Sequence, residues 1–321
     1  MRKPLNSTAI LPWEEGLFVE PADSSLPGIS IVIPIYNAGK FLEKTLRSLL
    51  CNDLSGCEII LMDGGSTDST KQIVDHYSDM FSSITMEPDQ GQSDAINKGY
   101  AKATKKILYW LNGDDILLPN VLNLVREKFH EDPNLDVLVG DAYMTELDFE
   151  PINHFRFSDE SIRYDSLINY AKNHLVQPSV FFSRAAWDEV GPLDLSLHYA
   201  MDADLFIGMS RKFQFKHVQR DIAYSVYHED CKTRGKRAES IAELAYVQSR
   251  HGGADQARET LNILVELFNS KETDPTSSAT SDGSNASDEC DQCKFLKSQL
   301  ASVRDDYEKN KVVMLRIEAE I

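Results

Sequence analysis

Between residues 29 and 139 the chain alternates short apolar runs with stretches of helical spacing, and this alternation restricts the fold more than any other feature. The apolar runs are Ile29-Ser-Ile-Val-Ile-Pro34, Ile59-Ile-Leu-Met62, Ile84-Thr-Met86, Ile107-Leu-Tyr-Trp-Leu111 and Val137-Leu-Val139. Phe41, Thr45 and Leu49, with Leu42, Leu46 and Leu50, recur at helical spacing between the first two. Further helices are predicted over about 69–81, 93–103 and 119–129, the last with Pro119 suited to a first turn. Strands and amphipathic helices in this order make βαβ units and a mostly parallel, twisted sheet, an α/β fold. Ligands of such sheets bind beyond the carboxyl ends of the strands, so the polar residues just after each strand are the ones to inspect.

Four of those loops are acidic or rich in amides: Pro34-Ile-Tyr-Asn37, Asp63-Gly-Gly-Ser-Thr-Asp68, Glu87-Pro-Asp-Gln-Gly-Gln-Ser-Asp-Ala-Ile-Asn97 and Asn112-Gly-Asp-Asp115. Each alone has an ordinary explanation: Asp68 as a helix cap, Gly64-Gly65 as a turn, Asp114-Asp115 as a loop. Their recurrence after successive strands points to one crevice. A nucleoside diphosphate needs a partner for its base edge, acceptors for its ribose hydroxyls and a cation for its phosphates. Asp63 can accept from a base N–H, and Asp114 from ribose hydroxyls. Asp115 can ligate Mn²⁺ or Mg²⁺, hard cations that bind through one or two carboxylates plus substrate phosphates.

Charge narrows the partners. The 321 residues carry 33 Lys plus Arg against 51 Asp plus Glu, a formal net charge of −18. Such a surface repels polyphosphate backbones, so nucleic acid is excluded as a partner, whereas a local cation or helix N-terminus still admits a phosphate-bearing small molecule. Five cysteines at scattered spacings make no disulfide framework and fit a reducing compartment. Cys290 and Cys293 have no second Cys/His pair near them in sequence to complete a tetrahedral metal site. No apolar run approaches the roughly 20 residues of a membrane span. The expectation is a cytoplasmic protein, reaching the inner face of the membrane only through its acceptor or a partner.

Residues 1–28, with four prolines and little periodicity, read as an irregular leader laid on the domain surface or partly mobile. The main domain takes 29–269. Within it the regular pattern ends near 141, a strand is expected at Ser179-Val-Phe-Phe182, and a helix over about 237–250. Residues 270–289, dominated by Ser, Thr, Asp, Gly, Pro and Asn, read as a flexible linker. The segment 290–321 has a heptad pattern, with Leu296, Val303, Asn310 and Ile317 at one seam position and Cys293, Leu300, Tyr307, Met314 and Ile321 at the other. It is expected to form a coiled coil that makes the protein a homo-oligomer, the alternative being a single exposed amphipathic helix. The pattern is still running at Ile321, as in a coil that continues in a longer chain.

The order of these loops resembles the GT-A fold of family 2 glycosyltransferases over about 29–235. The resemblance rests on Ile33-Pro-Ile-Tyr-Asn37, Asp63-Gly-Gly-Ser-Thr-Asp68, Gly91-Gln-Ser-Asp-Ala-Ile-Asn-Lys-Gly99, Asn112-Gly-Asp-Asp115, Gln177-Pro-Ser179, Tyr199-Ala-Met-Asp-Ala-Asp204 and His228-Glu-Asp-Cys-Lys-Thr233. It implies a Rossmann-like doubly wound mixed sheet, a nucleotide-sugar half over 29–140, an acceptor half over 141–235 and a helical end over 236–269. By the same resemblance Pro34, Tyr36, Asn37 and Asp63 surround the base, while Asp94 and Lys98 lie beside the nucleotide sugar. Asp114 and Asp115 match the family's DXD-type motif, although Asn112 stands where an aspartate is common. Asp202 matches the general base of inverting members, with Met201 in a place where the family often has Glu, and Asp204 matches a structural position. His228 and Lys232 assist the departing diphosphate, His228 also as a metal ligand. Gln177 is expected at the acceptor, and Trp187 either stacks on the acceptor sugar or packs in the core.

The activity implied is inverting transfer from a nucleoside diphosphate sugar to a saccharide or lipid-linked saccharide, in bacterial surface polysaccharide synthesis. Two other readings stay open. A nucleotidyltransferase normally has a Gly-rich basic loop after its first strand, which Ile33-Pro-Ile-Tyr-Asn-Ala-Gly39 lacks. The other is a catalytically idle domain displayed on a coiled coil.

Overall fold

The computed structural model describes residues 4–5, 10–229 and 236–272. Four parallel strands form its first half: β1 (Ile29–Ile35), β2 (Cys57–Asp63), β3 (Ser83–Met86) and β4 (Ile107–Trp110), in the order β3-β2-β1-β4. The crossovers between them carry α1 (Leu42–Leu49), α2 (Thr70–His76) and α3 (Gln92–Lys102). All seven residues of β1 are buried, as a strand covered on both faces requires. Its side chains divide with period two. Ile29, Ile31, Ile33 and Ile35 pack with Leu42, Leu46 and Leu49 of α1, whereas Val32 packs with Ala95, Ile96 and Tyr100 of α3. The stretch expected as one helix over 69–81 is divided into α2 and a 3-10 turn, Ser78–Met80.

The second half comprises β5 (Ile116–Leu117), α4 (Val121–Glu131), β6 (Val137–Thr145), β7 (Pro151–Phe155), α5 (Tyr164–Leu167), α6 (Tyr170–Asn173), β8 (Val180–Ser183), α7 (Arg184–Val190), α8 (Met201–Ser210), β9 (Phe215–Val226), α9 (Arg237–Arg250) and α10 (Ala254–Glu272). Beyond β4 the sheet continues β8-β6-β9-β5, with β7 paired to β6. Here β4 with β8, β8 with β6, β7 with β6 and β5 with β9 are antiparallel, and only β6 with β9 is parallel. The sheet is therefore mixed, and the mostly parallel sheet expected from the alternation holds only for its first half. Parallel neighbours need a long crossover. The hairpin β6–β7 returns by a short turn, whereas β8 and β5 meet their antiparallel neighbours through longer stretches of chain.

The described part of the leader is fixed to this body. Trp13, in a 3-10 turn (Pro12–Glu14), is buried against Phe149 at 4.6 Å and Tyr224 at 6.4 Å, and Glu14 pairs with Arg47 of α1. Arg126 of α4 is 1% exposed and donates to the carbonyls of Pro27, Ser55, Asp23 and Leu26 at 2.9–3.3 Å. Its charge is satisfied by backbone acceptors that hold the leader in place. The helix α10 runs to Glu272, three residues into the stretch expected as linker. The rest of that linker and the coiled-coil segment lie outside the described residues. Among the described residues no helix is long and apolar enough to cross a membrane.

Close packing of α3 against the sheet rests on a residue without a side chain: a Cβ on Gly99 would stand 2.5 Å from Val32 Cγ1 and 2.9 Å from Cγ2. Gly99→Ala is expected to push α3 off the sheet and cost about 1–3 kcal/mol. Thermal unfolding measures this, and an unchanged midpoint would show that the helix is not seated so tightly.

Candidate active site

The crevice is built at the carboxyl ends of β1, β2 and β4. Tyr36, just past β1, is 67% exposed, which leaves its ring open to a ligand. Asn37 has φ +50°, a left-handed conformation that Asn tolerates, and its amide oxygen accepts from Thr67 N at 2.9 Å while its own N–H donates to Ser66 Oγ at 2.7 Å. Asp63 ends β2 almost fully buried, and both its oxygens accept from Ser66 N at 3.2 Å. Asp68 accepts from Gly39 N at 2.9 Å and Thr70 N at 3.0 Å, tying the first two loops together at the start of α2. These bonds fix the loops to one another before any ligand arrives.

Asp94 sits in the first turn of α3, where its carboxylate accepts from Gln90 N at 3.0 Å and pairs with Lys98 at 2.8 Å. The Lys98 hydrogen bond holds the Asp94 carboxyl below the usual carboxylate range. On the same helix, Asn97 exchanges two 2.9 Å bonds with the backbone of Leu193, which joins the donor side of the crevice to the loop leading into α8.

The turn after β4 places its two aspartates in different surroundings. Asp115, expected to ligate the metal, is 4% exposed, and its oxygens accept from Asn112 Nδ2 at 2.9 Å and from Val226 N at 3.2 Å. Burial, followed by the charge of Asp114, pushes its carboxyl well above the usual range. Asp114 has a side chain 31% exposed, with Oδ2 3.0 Å from Nε2 of His228. His228 is itself stacked on Phe41, ring centroids 4.2 Å apart. The turn has Gly113 because a Cβ there would meet Ile35 Cγ2 at 2.6 Å.

Asp202 lies in the first turn of α8, half-buried, with Oδ1 accepting from Ala203 N at 2.8 Å. The Tyr170 hydroxyl, raised first by burial and then by the Asp202 carboxylate, borders it. Asp204 takes a separate place, paired with His251 at 2.8 Å and Arg250 at 3.5 Å. Sequence reading misses Glu243 of α9. It is 1% exposed and accepts from three successive backbone N–H groups, those of His198, Tyr199 and Ala200, at 2.6–3.2 Å. That carboxylate anchors the chain immediately before α8. Met201 occupies the position where the family often has Glu, and the acidic support for this loop comes from another helix. Lys232 lies outside the described residues.

Residues 30–191, just over half of the chain, match the profile of glycosyl transferase family 2. The chain belongs to this family. A glycosyltransferase of Rickettsia prowazekii, itself uncharacterized, is 28% identical over 197 residues, which are 58% of this chain and 59% of that protein. The PGL/p-HBAD biosynthesis glycosyltransferase of Mycobacterium bovis is 29% identical over 185 residues, 56% of this chain and 69% of its own. The chain thus spans about three-fifths of the length of the Rickettsia relative. Among solved structures, S. aureus TarS 1–349 in complex with UDP-GlcNAc superposes with a TM-score of 0.60 at 18% identity, over 73% of this chain and 72% of TarS. The mannosyltransferase PcManGT of Pyrobaculum calidifontis, in complex with GDP-Man and Mn²⁺, gives 0.53 at 14% identity over 93% and 91%. These likenesses establish the GT-A-like fold.

Two residues expected at the acceptor of this glycosyltransferase family member make contacts within the protein. Gln177 accepts from Asn112 Nδ2 at 3.1 Å and donates to the Trp110 carbonyl at 2.9 Å, so its amide holds the Asn112-Gly-Asp-Asp115 turn from behind. Trp187 is 8% exposed, with Tyr100 at 4.5 Å and Phe182 at 6.3 Å, and belongs to the core. Of its two expected roles, packing is the one its surroundings permit.

The two aspartates of the turn should separate in experiment. Asp115→Ala strips an acceptor from Asn112 and from Val226 N, at about 1–3 kcal/mol for each orphaned donor, and lowers the unfolding midpoint. Asp114→Ala removes a single partner, from the buried His228 ring, and costs about 1 kcal/mol, less than Asp115→Ala, which removes two. Equal midpoints for the two variants would contradict the inward role of Asp115.

Proposed function

We propose that the chain transfers a sugar from a nucleoside diphosphate sugar to a saccharide hydroxyl with inversion, using a divalent cation at Asp114 and His228 and Asp202 as general base. The observation that carries this is the division of the crevice. An exposed Tyr36 ring, the Asp63 carboxylate and the Asp114–His228 pair stand on the donor side, and Asp202 stands on a different helix of the acceptor half. The family match and the names of the relatives support a glycosyltransferase.

The residues fit the cation. Adjacent ligands of an octahedral ion with bonds of about 2.1 Å lie about 3.0 Å apart, which is the separation of Asp114 Oδ2 and His228 Nε2. An imidazole beside a carboxylate favours Mn²⁺ over Mg²⁺, the harder ion. When bound, the cation neutralises the charge of the departing diphosphate. The protein's own groups do the rest. Tyr36 stacks on the base, Asp63 accepts from its edge, and the anchored loops exclude water and fix the donor. Pro34 and Asn37 shape the base pocket, and Lys98, together with Lys232, adds positive charge near the phosphates. Asp202, in the first turn of α8, takes the proton of the attacking hydroxyl. The acceptor is taken as a saccharide or lipid-linked saccharide of bacterial surface polysaccharide synthesis, and a bacterial relative that is a biosynthesis glycosyltransferase accords with a biosynthetic role.

Thermal stabilisation by a panel of nucleotide sugars, with and without Mn²⁺ or Mg²⁺, identifies the donor. One class of donor should stabilise the chain only with the cation, and Asp114→Asn should abolish that dependence. Asp202→Asn should keep the stabilisation and reduce transfer by about 10²-fold or more. Full transfer by the Asp202 variant, or turnover undiminished by chelator, refutes the respective assignment.

A further inference from the structure

Away from the crevice, three strands bring two aspartates and two histidines to one face of the sheet. Asp141 on β6 stands opposite Asp221 on β9, and Tyr143, two residues along the same face, stands opposite His154 on β7. His217 stands opposite Val139, again on that face. An unbroken register would continue from His217 to place Gln219 opposite Asp141. Two register shifts, on either side of Asp141, deliver Asp221 instead. Gly140 makes the bulge possible, because a Cβ there would stand 1.9 Å from Ile222 Cγ1.

The resulting contacts are close. His154 Nε2 is 2.7 Å from Asp221 Oδ1, and His217 Nε2 is 2.8 Å from Asp141 Oδ1. One ligand atom each from Asp141, His154 and Asp221 lie within 4.8 Å of one another. The His154 ring is stacked on Tyr143 at 3.9 Å, and Asp141 is buried, with Phe157 N donating to it at 3.0 Å. With neutral imidazoles the four side chains carry two negative charges, which a divalent ion would balance.

We propose that Asp141, His154 and Asp221 form a second metal site, for a divalent transition-metal ion of the Zn²⁺ type. Imidazole and carboxylate together suit such ions, and three protein ligands leave room for water. His217 orients Asp141 from outside the ligand set, as hydrogen-bonding partners of metal ligands commonly do. The site is structural. It ties β7, whose only strand partner among the described residues is β6, to β9. Along β9, Asp221 precedes Val226 by five residues, about 16 Å at the usual strand rise, so this ion is distinct from one at Asp114 and His228. It stiffens the strand that leads to them.

The test counts metal without reference to turnover. The full chain carrying Asp114→Asn, to silence the crevice, and Cys231→Ser, Cys290→Ser and Cys293→Ser, to remove competing thiols, is stripped with chelator and titrated with Zn²⁺. One equivalent should bind and raise the unfolding midpoint. His154→Ala and Asp221→Asn in that background should abolish saturable binding, and His217→Ala should weaken it about 10- to 100-fold. Should a variant fold poorly, imidazole ¹⁵N resonances of the parent give the answer alone: Zn²⁺ must shift His154 Nε2 as a directly bound nitrogen. No saturable Zn²⁺ binding by the parent, equal affinity in the His154 and Asp221 variants, or an unperturbed His154 resonance overturns the proposal.

Discussion

The carboxyl group of Asp115 is the joint on which the crevice depends. A buried acid is costly unless its oxygens find donors. Here the donors come from two directions, the Asn112 amide in the same turn and the Val226 N–H at the end of β9. Asn112 in turn accepts from Gln92 at the start of α3 and donates to Gln177 just before β8. One buried cluster thus fixes the end of β4, the start of α3, the approach to β8 and the end of β9. Asp114 and His228 come together because they flank that cluster on its outer side.

The two halves of the molecule solve different problems with the same sheet. In the parallel half, β1 is covered on both faces, so its side chains do nothing but pack, and the chemistry is displaced to the loops beyond. Those loops are short and bond to one another, as Asn37 with Thr67 and Asp68 with Gly39 do. In the mixed half β6 and β9 are long and carry polar residues along their length, which leaves room for the Asp141, His154, His217 and Asp221 group within the sheet itself.

The contrast explains what is legible in the sequence. The strands β1, β2 and β4 announce themselves as apolar runs because they are buried along most of their length, and the helices between them as apolar stripes. By contrast, β9 contains Gln219-Arg-Asp221 where it bulges, and β7 is Pro-Ile-Asn-His-Phe, mostly exposed, so neither has a period to read. The loop motifs mark the crevice, but adjacent residues in a turn have no periodicity to say which faces inward. That Asp115 is buried and Asp114 partly exposed is therefore not legible in the sequence. Gln177 belongs to a motif that reads as acceptor-facing, yet its amide partners lie over sixty residues away. Glu243 is invisible for a related reason: its partners are backbone amides, which leave no mark on residue identity.

Glu243 also shows how differently the two sides of the crevice are held. Donor-side groups are positioned by neighbours within a few residues or on the adjacent loop, so the parallel half is sufficient to organise them. Asp202 sits at the start of α8, and the three amides before that helix would be buried donors without acceptors if α9 were not packed over them. The orientation of Asp202 therefore depends on a helix that begins more than thirty residues later in the chain. Asp204, through His251 and Arg250, binds α8 to the far end of the same α9. The helical end of the domain is thus a clamp on α8, holding it at both the approach to the helix and its first turn.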